Sequence, residues 1–78
     1  MILDFNETCI VNQTPDTNNK GEYIRSLMDS LLYTEEPELK DSLKSLINKI
    51  STLDEYEFQK LLKDKRDKKI FTYPPYML

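Results

Sequence analysis

PELKDSLKSLINKI, residues 37–50, places Leu39, Leu43, Leu46, Ile47 and Ile50 at spacings of 4, 3, 1 and 3, one stripe of a 3.6-residue helix. Lys40, Asp41, Lys44 and Lys49 lie off that stripe and are expected to face water. Pro37 suits a first helical turn, where its missing N–H would have had no partner. Glu35, Glu36 and Glu38 put negative charge at the positive end of the helix dipole, and Lys49 sits near the negative end. Burying each of the five aliphatic side chains contributes roughly 1.5–3 kcal/mol before entropy is subtracted, so this helix needs partners.

Both neighbours can supply one. Upstream, Asn19 with Glu22 resembles a reciprocal N-terminal cap, and Ile24, Leu27, Met28, Leu31 and Leu32 follow as a second apolar stripe. Downstream, Thr52-x-x-Glu55 and Asp54-x-x-Glu57 are alternative capping boxes, and in the second frame Leu53 can staple onto Phe58. Phe58, Leu61 and Leu62 form the apolar face of that helix, with Tyr56 at its margin. The pattern predicts a mainly α fold. Helices over 19–33, 36–51 and 53–68, joined by short connections, form a small bundle of three antiparallel amphipathic helices. The predicted core is Ile24, Leu27, Met28, Leu31, Leu39, Leu43, Leu46, Ile47, Ile50, Phe58, Leu61 and Leu62.

The ends read differently. Phe5, Ile10 and Val11 have β-propensity, so residues 1–18 are expected to be an extended N-terminal arm, with one or two short strands, and a loop over 13–21. Residues 70–78, IFTYPPYML, form an apolar tail whose Pro74-Pro75 favours an extended backbone. Arm, bundle (19–69) and tail together make one domain of 78 residues. A second arrangement, in which two chains pair their first two helices into a four-helix bundle, would relieve the small size.

Composition narrows the chemistry. Cys9 is the only cysteine, so no internal disulfide forms, and a lone thiol fits a reducing compartment. The stretch MILDFNETCIV lacks a basic flank and a long apolar run, so neither signal peptide nor membrane span is expected and the location is read as cytoplasmic. Without histidine, the commonest general base and metal ligand is missing. Cys9 has no positive neighbour in sequence to activate it, and no two carboxylates are singled out by spacing. The expectation is a non-enzymatic chain with no catalytic residues, no cofactor, no metal and no small-molecule substrate. Alanine, the best helix former, is absent from a chain that reads as helical. A coding sequence of low GC content explains that, and points to a phage, a virus or a mobile element.

Charge is uneven. Residues 1–39 hold eight acids against Lys20 and Arg25, a net −6, whereas residues 40–78 hold six acids against nine bases, a net +3. Three functions fit this sequence. The first is a regulatory or inhibitory protein that binds a larger host protein, with Phe71, Tyr73, Pro74, Pro75, Tyr76 and Leu78 as anchors. The second is a helical nucleic-acid-binding regulator using Lys63, Lys65, Arg66, Lys68 and Lys69. Asp64 and Asp67 interrupt that run, and the chain is acidic overall, so nucleic acid ranks below protein as partner. The third is a self-assembling structural subunit.

Overall fold

The 37–50 stretch folds as a helix, Pro37–Ser51, in a computed structural model that describes residues 3–67. It is the third of four helices among the described residues: α1 (Phe5–Gln13), α2 (Lys20–Tyr33), α3 (Pro37–Ser51) and α4 (Glu55–Arg66). The protein is mainly helical, and no strand occurs among those residues. α3 is the central element, and both α2 and α1 pack against it. No helix among the described residues is long and apolar enough to cross a membrane.

Three of the helices lie within one or two residues of their predicted bounds. Pro37 opens α3, and the Asn19 side chain accepts the Glu22 N–H at the start of α2. The reciprocal bond expected there is displaced by one residue, because the Glu22 carboxylate accepts the N–H of Asn18. For α4 the second capping frame holds: Asp54 accepts the Glu57 N–H, and Glu57 accepts the Asp54 N–H.

α1 corrects the prediction of an extended arm. Asp4 and Glu7 form a complete capping box, with the Glu7 N–H bonded to Asp4 at 2.7 Å and the Asp4 N–H bonded to Glu7 at 2.9 Å. Two satisfied end groups and a buried face outweigh the weak β-propensity of Phe5, Ile10 and Val11. The helical period is hidden in the sequence because the buried face reads Leu3, Glu7, Thr8, Val11, with an acid at the position where an aliphatic would announce the stripe.

The core is built from every helix: Val11 of α1, Tyr23 and Leu27 of α2, Leu43, Leu46 and Ile50 of α3, and Phe58 and Leu62 of α4, with Leu3 ahead of α1. Ile24, Leu31, Ile47 and Leu61 pack around it half-buried. Tyr23 and Phe58 meet edge-to-face, with ring centroids 5.2 Å apart. Met28 and Leu39 depart from the predicted core, at 53% and 38% exposed. Tyr23 and Leu27 already fill the face of α2 turned inward, which leaves Met28 beyond its edge, and Leu39 stands in the first turn of α3.

Lys20 fastens the start of α2 to the start of α4. Its ammonium donates to the carbonyls of Leu53 at 2.7 Å and Ser51 at 3.3 Å, and its N–H donates to Glu55.

Candidate functional site

Part of the predicted functional set lies outside the described residues: Phe71, Tyr73, Pro74, Pro75, Tyr76 and Leu78 of the tail, with Lys68 and Lys69. Lys63, Lys65 and Arg66 fall in the last turn of α4. Lys65 donates to the Thr14 carbonyl at 2.5 Å and to Asp16 at 2.7 Å, and Arg66 donates to the other oxygen of Asp16 at 3.0 Å. These bonds hold the loop after α1 against the end of α4. The Lys65 hydrogen bond, with that of Arg66, holds the Asp16 carboxyl below its ordinary range despite partial desolvation. Two of the basic side chains proposed for phosphate are thus already paired. Lys60 and Lys63 stay exposed beside Tyr56 and Asp64.

α1 is fixed to α3 by a second ion pair. Glu7 is fully buried, and its Oε1 accepts both the Asp4 N–H and the Lys49 ammonium, the latter at 2.5 Å. Desolvation pushes this carboxyl up, but the Asp4 N–H, the Lys49 ammonium and the Ser45 hydroxyl together outweigh it and hold the group below its ordinary value. Lys49, expected to face water, keeps only 35% of its side chain exposed because its head turns inward to Glu7. Glu7 Oε2, Thr8 Oγ1 and the Tyr23 hydroxyl are buried without a hydrogen bond of good geometry. Burial pushes the Tyr23 hydroxyl up to about 12, with the neighbouring Thr14 opposing and Asp16 adding to the shift.

A further exposed apolar surface is at the other end of α2. Leu32 and Tyr33 are 75% and 82% exposed, and Met28 lies one turn before Leu32. A helix buries one face, and the 28/32 ridge and Tyr33 fall on either side of the solvent-facing line of α2. On the Tyr33 side runs an open groove of about 510 Å³, with walls that include Ile10, Pro15, Tyr33, Leu39 and Leu43, and with Asp29 among its polar lining. The connector that follows carries Glu35 and Glu36, both exposed.

This surface was not visible in the sequence because Met28 and Leu39 read as core. The available signal was the width of the α2 stripe. Ile24, Leu27, Met28, Leu31 and Leu32, with Tyr23, span more of the helix than one neighbour can cover. Comparison with protein-family models, with curated proteins and with solved structures returns no match.

Proposed function

We propose that the protein is a small non-enzymatic regulatory or inhibitory protein that acts by occupying a surface on a larger protein, in the cytoplasm of a cell hosting a low-GC phage, virus or mobile element. The observation that supports this reading is Tyr33, left in water at the end of α2 on the edge of an open groove with apolar walls, with Leu32 exposed across the solvent-facing line of the same helix. Large exposed side chains gain free energy when a partner removes them from water, at about 25 cal/mol per Å². Tyrosine adds a rigid apolar body with a polar tip, the combination enriched at binding hot spots. A nucleic-acid role has less support, since Lys65 and Arg66 are engaged by Thr14 and Asp16.

The test compares the protein with a Leu32→Ser/Tyr33→Ser variant as bait in a lysate of the host cell. Both positions are exposed, so the variant should fold within about 0.5 kcal/mol of the parent. A single host protein held in fixed stoichiometry by the parent and released by the variant is the expected result. Capture that is indifferent to these substitutions contradicts it.

A further inference from the structure

We propose that the groove beside Tyr33 receives a basic amphipathic segment of the partner, its apolar side chains seated in the groove and its lysines or arginines against the surrounding acids. This rests on the protein-binding reading above and names the chemistry of the partner.

The groove offers apolar walls at Ile10, Pro15, Tyr33, Leu39 and Leu43 with polar side chains between them, and no lysine or arginine among the described residues lines it. Its volume of about 510 Å³ is within the range of ~300–1,000 Å³ typical of small-ligand pockets. It is open to solvent, so it suits side chains projecting from a partner's surface rather than an enclosed molecule. Charge selects among such partners. Asp29 belongs to its wall, Glu35 and Glu36 follow Thr34 in the connector, and Glu38 precedes Leu39. The ion pairs of the described residues use Glu7 and Asp16 and leave these four acids to solvent. The bases nearest in sequence, Arg25 and Lys40, do not line the groove. A partly apolar groove with Asp29 in its wall and exposed acids in the flanking connector attracts a segment of opposite sign and repels acidic ones, which favours one class of partner. Helical segments docking through anchors one turn apart are the common form of such recognition.

The experiment titrates the full chain into a labelled amphipathic peptide of about 14 residues, built from leucine and lysine at helical spacing, and reads fluorescence anisotropy. The control peptide carries glutamate in place of lysine. The leucine–lysine peptide should bind at least tenfold more tightly than the control and weaken at high salt, where the Debye length falls from about 10 Å toward 3 Å. Asp29→Asn/Glu35→Gln should weaken it severalfold, and Tyr33→Ser/Leu39→Ser at least tenfold. Asp41→Asn/Asp64→Asn, which removes as much charge elsewhere, should leave it within twofold. Tyr33→Ser alone repeats the test if the double variant loses helicity. Equal weakening by both acid pairs would mean attraction to bulk charge and overturns the proposal. So does sedimentation showing a dimer that Tyr33→Ser/Leu39→Ser dissociates, since a second copy would then cover the groove. Capture of a host protein that depends on Tyr33 and Leu39 but ignores Asp29→Asn/Glu35→Gln would reject a basic partner while leaving the protein-binding reading intact.

Discussion

Replacing Lys49 with methionine keeps an unbranched apolar stem on α3 and takes the cation away from a fully buried carboxylate. Removing one partner of a fully buried ion pair costs about 3–5 kcal/mol, mostly because the remaining charge is stranded. Here Glu7 is fully buried but Lys49 is 35% exposed, and the Asp4 N–H still bonds the carboxylate. The expected cost is therefore lower, about 2 kcal/mol. For a small domain that is a large fraction of the total stability. With a urea dependence of ~1 kcal/mol per molar, the midpoint should fall by about 2 M. Glu7→Gln should cost less, about 1 kcal/mol, because glutamine still serves the capping box and Lys49 can reach water. In the double variant the stranded charge is gone, so its loss should be smaller than the sum of the two, a coupling readable from a double-mutant cycle.

The pH dependence carries the sign. In the parent, the Glu7 value in the folded state is below its ordinary 4.5, so the folded protein binds fewer protons there. That contribution is complete above 4.5 and is lost as pH falls through the lowered value. Without Lys49, its hydrogen bond and its charge no longer hold the carboxyl down and the folded value rises, so the deficit of Lys49→Met should shrink as pH falls from about 7 to 4. Urea denaturation followed by circular dichroism at both pH values is the assay. A variant within about 0.5 kcal/mol of the parent at neutral pH, or a deficit that does not change with pH, refutes the reasoning.

Further outcomes follow from the same contacts. Val11→Ala should cost about 2 kcal/mol, because α1 buries this side chain completely, while Met28→Ala should stay within about 0.5 kcal/mol; thermal melts of the two check it, and a silent Val11→Ala would mean that α1 is not docked. Tyrosinate absorbance should show Tyr23 titrating near 12, and Tyr23→Phe should remove that step at little cost to stability, since the buried hydroxyl makes no hydrogen bond of good geometry. Duplex DNA should bind weakly, with no dependence on Lys65→Glu/Arg66→Glu; affinity that falls steeply with salt and is abolished by that change favours the nucleic-acid reading.

How much was legible depended on whether a helix announces itself through aliphatics. α3 and α2 did, because five large apolar residues recur at helical spacing in each, and α4 did through Phe58, Leu61 and Leu62 with its capping box. α1 did not. Its inward face includes Glu7 and Thr8, and an acid there is compatible with a core only through Lys49, forty-two residues away in sequence. Local pattern carries no trace of such a partner. Tyr23 was missed for the converse reason: a tyrosine at the edge of a stripe reads as amphipathic, and only the edge-to-face contact with Phe58 draws it fully inside. The candidate surface was hidden by excess signal, since an overly wide stripe on α2 looks like core until the neighbours are placed. Lys65 and Arg66 were visible as a basic run, but their engagement with Asp16 depends on the loop after α1 returning to the end of α4.

The most direct measurement is hydrogen exchange read by mass spectrometry on the protein alone and with the captured host partner. Alone, amides of α2 and α3 around Leu27 and Leu46 should be the best protected, since those residues are at the centre of the core. On binding, new protection should appear across residues 29–39, from Asp29 through Tyr33 and the connector to Leu39. Protection gained instead along α4, with 29–39 unchanged, would contradict the placement of the working surface at the end of α2.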